Sequence, residues 1–253
     1  PLLTSMAIPM MISMLVQALY NVVDSVFVSQ IGENALNAVS LAFPLQNLMI
    51  AFGAGTAVGM NAILSRSLGE KNRENVNRAA NTGIFVFICT FVVFAAIGAF
   101  LSRPFFLAIT DIPEIVDMGV SYTQICLCFS SGIFMQFCFE RMLQATGRTT
   151  LAMITQLIGA VTNIILDPIF IFGRGQVIFE GSFTMPIGLG MGVAGAAIAT
   201  VAGQILAAAI AIIVNIKMNH DVHLSLRLIR PDKMMIAEIY RVALPSIFMQ
   251  SIS

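Results

Sequence analysis

The sequence predicts an all-α membrane protein with six transmembrane helices and the start of a seventh. Of its 253 residues, 58% are hydrophobic and only 10% are charged, whereas soluble domains are about half apolar and about a quarter charged. Charge-poor segments long enough to cross the hydrocarbon of a bilayer, roughly 20 residues each, recur along the chain. This composition excludes a soluble enzyme, a disordered protein and a nucleic-acid-binding protein.

Each predicted span is a continuous apolar segment, and none shows the alternation of apolar and polar residues that a membrane β-strand requires. Each is therefore predicted to be a helix. The spans end where charged residues return, as at Arg66 after the second, Arg103 after the third and Lys217 after the sixth. The six complete spans are 3–28, 41–64, 79–101, 118–139, 150–172 and 191–216, and a seventh begins near 241.

Basic residues gather on one side of the predicted membrane. Of the 13 Lys and Arg residues, all but Arg103 and Arg174 lie between spans 2 and 3, between spans 4 and 5, or after span 6. The positive-inside rule therefore places the amino terminus and the loop 217–240 in the cytoplasm of a multi-pass plasma (inner) membrane protein. The cytoplasmic set is Arg66, Lys71, Arg73, Arg78, Arg141, Arg148, Lys217, Arg227, Arg230, Lys233 and Arg241.

Three regions follow from this pattern: a six-helix lobe over 1–216, a cytoplasmic linker over 217–240, and the start of a second lobe over 241–253. A short repeat supports the division, because Val242-Ala243-Leu244-Pro245 is similar to Met6-Ala7-Ile8-Pro9. An even number of spans gives both lobes the same orientation, as in transporters built from parallel repeats. We expect the chain to be the first half of a longer protein.

Two of the 13 acidic residues, Asp24 and Asp167, lie within predicted spans. Each costs on the order of 2.5–3.5 kcal/mol at the bilayer centre on insertion scales, so intramembrane acids are functional candidates by default. Glu140, at the end of span 4, is assigned to the cytoplasmic side with five other acids. The outer side takes Glu33, Asp111, Glu114, Asp117 and Glu180.

Both intramembrane acids lie on polar helix faces, and both are about five residues from the outer end of their spans. Thr200, in span 6, reaches a similar depth. We predict a shared site for a proton or a sodium ion, since two nearby carboxylates titrate as a coupled pair and neutral oxygens complete a sodium shell. The alternative is that both acids are hydrogen-bonded structural residues, or that their side chains extend to the outer membrane interface. The two faces are Ser13, Gln17, Tyr20, Asn21 and Asp24 in span 1, and Gln156, Asn163 and Asp167 in span 5.

Two prolines are candidate hinges. Pro9 removes the helical hydrogen bond to the carbonyl of residue 5, and Pro168 removes the bond to the carbonyl of residue 164, so either can kink its helix. A kink beside Asp167 could couple the charge of that residue to the shape of the helix. Static kinks are the alternative for both.

Three other motifs suggest a chemical function at first sight, but none is predicted to have one. Gly190-Met-Gly192-Val-Ala-Gly195 fits GxGxxG but follows no strand, so these glycines, like Gly55 and Gly59, are expected to allow close helix packing. Asp24 and Asp167 lack the flanking residues of intramembrane aspartyl proteases. His220 and His223 have a spacing suited to a metal, but no further ligand is apparent.

The sequence resembles the multidrug and toxic compound extrusion (MATE) transporters. The resemblance rests on Asn163-Ile-Ile-Leu-Asp167-Pro168-Ile-Phe-Ile-Phe-Gly173, on Gly192-Val-Ala-Gly195-Ala-Ala-Ile-Ala-Thr200, on Asp24-Ser-Val-Phe-Val28 and on Gln144-Ala-Thr-Gly147. These segments extend from span 1 to span 6. The chain is most similar to the prokaryotic branch related to the DNA-damage-inducible protein F.

The resemblance implies twelve spans in two six-helix lobes around a central cleft, and export of amphipathic, often cationic compounds driven by inward proton or sodium flow. It implies that the amino-terminal lobe holds the cation site, with Asp24, Asn163, Asp167 and Thr200 at its acid and polar positions and Tyr20 adjoining. Pro9 matches the proline at which the first helix bends.

We therefore expect a cation-coupled multidrug efflux antiporter, not an enzyme, with no catalytic residues, no cofactor other than the coupling ion, and no metal site beyond possible Na⁺. Its expected partners are small amphipathic substrates, the lipid bilayer and the second lobe, and not nucleic acid. One alternative is a lipid-linked oligosaccharide flippase of the same superfamily, although no Lys or Arg lies well inside a span. An ion channel is the other alternative.

Overall fold

The computed structural model describes residues 2–178, 183–184, 186–224, 229 and 231–252. Glu180, Arg227 and Arg230, whose sides of the membrane were predicted above, lie outside the described residues. Helices make up almost all of the described chain. They are α1 Leu2–Ser29, α2 Glu33–Gly69, α3 Arg73–Ile109, α4 Pro113–Cys128, α5 Ser131–Ala145, α6 Thr149–Ile171, α7 Val193–Met218 and α8 Lys233–Ile252.

The predicted all-α membrane fold is confirmed, with one correction to the fourth span. Among the described residues, five helices are long and apolar enough to cross a membrane, namely α1, α2, α3, α6 and α7. The predicted span 118–139 is two helices, α4 and α5, bent by 42° at a short break; counted together as one span, they bring the number of crossings among the described residues to six. Ser130, Ser131 and Gly132 lie at the break, and pairs of Gly and Ser are a known cause of sharp kinks.

Several helices extend beyond the predicted spans. Both α2 and α3 have 37 residues, so each continues past the length needed to cross the hydrocarbon. Helix α8 begins at Lys233 rather than near 241, so the last part of the predicted linker is helical. Between α6 and α7, β1 Val177–Ile178 and β2 Phe183–Thr184 pair antiparallel in a short hairpin.

Two apolar cores occupy opposite ends of the lobe. At the hairpin end, Val28, Phe106, Val116, Ile171 and Val193 join the ends of α1, α3 and α6 to the starts of α4 and α7. At the end that holds residues 217–240, which we call the linker end, the second core joins α2, α3, α5, α7 and α8. Its large side chains that are fully buried include Met60, Leu64, Phe87, Leu127, Phe134, Met142 and Ile239.

Small residues let α8 pack closely against α2. A Cβ atom added to Gly55 would lie 2.4 Å from a side-chain atom of Ile247, and one added to Gly59 would lie 2.4 Å from the backbone oxygen of Ile239. Glycine at these positions therefore allows the two helix backbones to approach, which is the packing role that the sequence predicted for them. At Gly69, at the end of α2, an added Cβ would meet nothing within 4 Å.

Polar contacts fasten the linker to the lobe. Asp232 accepts hydrogen bonds from the guanidinium of Arg78 on α3, one of them at 3.0 Å from Nε. The side-chain Oδ1 of Asn77 accepts a hydrogen bond from the backbone N–H of His223 at 2.8 Å, and Nδ2 of Asn81 donates to the His223 carbonyl at 3.1 Å. The Arg78 hydrogen bond holds the pKa of the Asp232 carboxyl below its ordinary value, with help from the backbone N–H groups at the start of α8.

We predict that Gly59→Ala destabilises the packing of α8 on α2, because the new methyl group meets a backbone oxygen that no side-chain rotation can move. The expected loss is about 1–3 kcal/mol, the usual cost of overpacking, measured as the free energy of unfolding in detergent. Gly69→Ala is the matched control in the same helix, and its stability should not fall. Equal effects of the two substitutions would contradict the packing account.

Asp232→Asn is predicted to lower the melting temperature at neutral pH. The carboxyl has a depressed pKa in the folded protein, so its stabilising contribution is present above the ordinary Asp pKa of about 3.9 and is lost as pH falls through the lower, folded-state pKa. The difference in melting temperature between wild type and variant should therefore shrink below about pH 4. Asp111→Asn, an exposed position at the hairpin end, serves as control, and a difference that grows on acidification would refute the assignment.

Candidate cation site

The two intramembrane acids lie on neighbouring helices near the hairpin end of the lobe. Asp24 lies five residues before the end of α1 and Asp167 four residues before the end of α6, so the predicted shared depth agrees with the structure. Phe27 and Phe172 pack edge to face just beyond them, with ring centroids 6.2 Å apart. Asp24 and Asp167 are also within electrostatic range of each other.

Asn163 links the acid on α6 to helix α7. Its Nδ2 donates to Oδ1 of Asp167 at 3.2 Å and to Oγ1 of Thr200 at 3.3 Å. The two amide protons are thereby used on one carboxylate and one hydroxyl. Asn163 and Asp167 are 3% and 0% exposed, so water does not compete for these bonds. Three of the predicted site residues are therefore in direct contact.

Three oxygen atoms at this site are buried without a hydrogen-bond donor. They are Oδ1 of Asp24, Oδ1 of Asn163 and Oδ2 of Asp167. A buried polar atom without a partner costs roughly 1–3 kcal/mol, and more if it is charged. Oxygen atoms of this kind fit a proton shared between carboxyls or a hard monovalent cation. Among the described residues, no group of three or more His, Cys, Asp or Glu is placed to hold a metal ion.

A polar cleft runs from this site toward the linker end of the lobe. It encloses about 460 Å³ of empty space, counted with its open mouth. Four glutamines from four different helices line it, and Nε2 of Gln156 on α6 donates to Oε1 of Gln17 on α1 at 3.1 Å. Tyr20 also lines the cleft, which agrees with its predicted place beside the acids. The lining residues are Gln17, Tyr20, Ile133, Gln136, Phe137, Gln156, Gly159, Ala160, Asn163, Thr200, Gly203 and Gln204.

The glycine motif at the start of α7 holds the corner that positions Asp167. The backbone N–H groups of residues 189–192 donate to carbonyls of residues 169–172 at 2.8–3.0 Å, and these are carbonyls that the end of α6 leaves without helical partners. Gly192 has φ +58°, a left-handed conformation that favours glycine. A Cβ added to Gly195 would lie 2.4 Å from the Phe170 oxygen. The motif therefore serves packing, as expected.

The two predicted hinge prolines and Asn21 remain to be placed in the structure. Pro9 is buried in α1 and Pro168 lies in the last turn of α6, and both helices continue through them. Asn21 is exposed and is not among the residues that line the cleft. Asn21 and Asp24 are three residues apart, which is about 60° around a helix, so their shared polar face stays a prediction.

The sequence does not reveal that Glu140 is buried. The residue is predicted to follow span 4 on the cytoplasmic side, and in the structure it is 5% exposed within α5. Its Oε1 accepts a hydrogen bond from Nε2 of Gln136 at 2.9 Å and lies 3.3 Å from Oγ1 of Thr155 on α6. The signal that could have found it is the i,i+4 spacing of Gln136 and Glu140, which places both on one face of an otherwise apolar helix.

Comparison with known protein families matches one model, MatE, over residues 9–169. The match includes Asp24, Asn163 and Asp167 and covers more than half of the chain. The chain belongs to the MatE family.

Individual MatE relatives agree along nearly the whole chain. Multidrug export protein MepA of Staphylococcus aureus (strain MRSA252) is 25% identical over 244 residues, which cover 96% of this chain and 51% of MepA. The chain thus spans about half the length of the curated relatives it matches. It is a multi-pass membrane protein, since its apolar helices and its relatives agree on this point.

Solved MatE structures share the fold of this lobe. An outward-facing multidrug resistance MATE family transporter of the MOP superfamily superposes with a TM-score of 0.87 at 29% identity, covering 98% of this chain and 52% of the transporter. A MOP superfamily transporter from Pyrococcus furiosus, described as having a binding pocket of reverse polarity that suggests a different function, gives 0.84 at 27% identity, covering 98% and 52%.

We predict that Asn163→Leu destabilises the lobe by about 1–3 kcal/mol, the cost of leaving buried acceptors without their donor. The affected acceptors are Oδ1 of Asp167 and Oγ1 of Thr200. Thr162→Val is the matched control, since the hydroxyl of Thr162 bonds only the carbonyl of Ile158 in its own helix. Unfolding free energies in detergent would be compared, and an equal loss in both variants would show that Asn163 has no special place in the site.

Proposed function

We propose that this chain is the ion-coupling lobe of a multidrug efflux antiporter, in which inward movement of a proton or sodium ion drives export of amphipathic, often cationic compounds. The observation that carries the proposal is the set of three buried oxygens of Asp24, Asn163 and Asp167 that lack hydrogen-bond donors. MatE membership and the similarity to multidrug export protein MepA support the efflux function.

The chemistry of the site suits reversible loading with a single positive charge. When neither acid carries a proton, two carboxylates in a medium of low dielectric constant repel each other. A proton or Na⁺ removes that repulsion and gives the orphan oxygens a partner. The amide oxygen of Asn163 and the hydroxyl of Thr200 add neutral oxygens of the kind that Na⁺ accepts, so the ligand set is compatible with either ion.

Of the helices in the lobe, α1 would need the least free energy to move when the charge at the site changes. It packs mainly against α6, and only 6% of its membrane window is buried inside the lobe. Repulsion between Asp24 on α1 and Asp167 on α6 therefore acts on the helix with the fewest contacts to break. Pro9 weakens the same helix by removing one hydrogen bond. Ion loading would draw α1 toward α6, and ion release would let it move away.

The direction of transport follows from the predicted orientation. The positive-inside rule favours a cytoplasmic linker end, which would put the acids in the outer half of the membrane, where an ion arrives from outside. The cleft then offers a polar route from the acids toward the cytoplasmic side. Exported compounds would use the space between this lobe and the second lobe of the full-length protein.

A flippase for lipid-linked oligosaccharides, the runner-up, needs cationic groups to hold a diphosphate. None of the twelve residues that line the cleft is Lys or Arg, which favours cationic or neutral cargo. An ion channel, the third candidate, would pass ions without moving a dye. Coupled exchange is therefore the property that separates the proposed function from both alternatives.

The test measures efflux of ethidium from proteoliposomes that contain the full-length protein, under imposed proton and sodium gradients. We expect gradient-driven efflux in wild type, and a fall to roughly a tenth or less in Asp24→Asn and in Asp167→Asn, because an amide neither binds a transported proton nor supplies a charge for sodium. Asp117→Asn, which removes an exposed carboxylate from α4, should transport like wild type.

Gradient-driven efflux that persists in both Asp variants would sink the site assignment. Ion flux in wild type that proceeds equally with and without dye would instead favour the channel.

A further inference from the structure

Glu140 is a buried carboxylate that the proposed coupling site does not use. It lies near the linker end of α5 and is 5% exposed. The nearer acceptor of the Thr155 hydroxyl is the Ala152 carbonyl at 2.8 Å. A hydroxyl has one proton, and Thr155 donates it to the nearer Ala152 carbonyl. The amide of Gln136 is therefore the stronger hydrogen-bond donor to Glu140. The carboxylate therefore keeps unused acceptor capacity inside the lobe.

Among the described residues, no ion pair involves this carboxylate. Within the described part of the chain, the ion pairs join Arg66 with Glu70, Arg78 with Asp232, and Arg148 with Asp221, and none reaches Glu140. The adjacent Arg141 is within electrostatic range of Glu140, but its guanidinium donates to Oε1 of Gln144 at 2.8 Å and forms no ion pair with the carboxylate. Buried carboxylates are ordinarily paired or coordinated to a cation, so Glu140 is placed to receive a positive charge from outside the chain.

One side chain, that of Gln136, separates this carboxylate from the polar cleft. Gln136, which donates to Glu140, also lines the cleft. Tyr20, another lining residue, is within electrostatic range of Glu140 as well as of Asp24 and Asp167. Neither Glu140 nor Asp167 lines the cleft itself, but a lining residue contacts each of them, Gln136 at Glu140 and Asn163 at Asp167. Thr155, beside Glu140, and Asp167 are twelve residues apart on α6, which is about 18 Å along a helix axis, so the two ends can hold separate charges.

We propose that Glu140 is a specificity-determining residue that binds the positively charged group of the exported compound at the linker end of the cleft. The proposal rests on the efflux function proposed above and names the part of the lobe that selects cationic cargo. Ile133, Phe137 and Tyr20 supply apolar and aromatic surface for the carbon groups around the charge, while glutamine amides tolerate many shapes. An organic ammonium group on an apolar body is the chemical class that fits.

The test measures binding in the absence of any gradient, by fluorescence anisotropy with the full-length protein in nanodiscs. Two dyes are compared: ethidium, which is a permanent cation, and Nile red, which is uncharged. In Glu140→Gln we expect ethidium to bind about tenfold more weakly or worse, the loss expected for a buried charge-assisted contact. Nile red should bind as in wild type. Glu238→Gln removes an exposed carboxylate from α8 and should change neither affinity.

A second variant keeps the proposal testable if Glu140→Gln does not fold. Gln136→Lys places an ammonium group beside Glu140 and neutralises the carboxylate without removing it, so ethidium should again bind more weakly and Nile red should not. Unchanged ethidium affinity, or an equal loss for both dyes, would overturn the proposal. The rise in melting temperature that Na⁺ causes is measured in the same variants. If the substitutions reduced only this stabilisation by Na⁺ and left the affinity for both dyes unchanged, the proposal would also be overturned, because Glu140 would then bind the inorganic cation.

Failure of this proposal is distinguishable from failure of the proposed function. Charge-selective binding that depends on Glu140 would support the proposal even if no gradient drove efflux, and that second result would refute the coupling function alone. Gradient-driven efflux that is normal in Glu140→Gln, together with unchanged ethidium binding, would refute the Glu140 proposal and leave the coupling function standing.

Discussion

Lipid provides no hydrogen bonds, so each polar atom inside the bilayer must find its partner within the protein. The site formed by Asp24, Asn163 and Asp167 departs from that rule, because each residue keeps one buried oxygen without a donor. Hydrogen bonds made by the neighbouring groups hold these three residues in place. Asn163 spends both amide protons on Asp167 and Thr200, and the glycine-rich turn at 188–192 takes up the free carbonyls at the end of α6.

The lobe has a tightly packed part, formed by helices α2 through α8, and a loosely packed part, helix α1. The apolar cores at the two ends hold the six helices from α2 through α7 together. Helix α8 packs against α2 at Gly55 and Gly59. Helix α1 stands at the edge, held mainly by α6 and by polar contacts such as Gln17 with Gln156. One acid of the site is on the tightly packed part and the other is on the loosely packed part. Under the proposed function, a change in charge between them would move α1 relative to α6.

The sequence predicted the parts that follow from composition and helical period. Asp24 and Asp167 could be found because a charge inside an apolar span is rare and costly, and their common depth followed from counting residues to the span ends. Glu140 escaped because it is the first charged residue after span 4, where an acid in contact with water and an acid buried between helices look alike. The break between α4 and α5 was visible as Ser130-Ser131-Gly132, but the apolar residues on both sides concealed it.

The central claim is that Asp24 and Asp167 bind the coupling ion directly. Infrared difference spectroscopy of the full-length protein in lipid, comparing the ion-free state with the state loaded by acid or by Na⁺, observes carboxyl groups without requiring transport. The account predicts a carboxyl or carboxylate band that changes on loading, diminishes in Asp24→Asn and in Asp167→Asn, and disappears in the double variant. An undiminished band in the double variant would contradict the account, because the ion would then bind elsewhere.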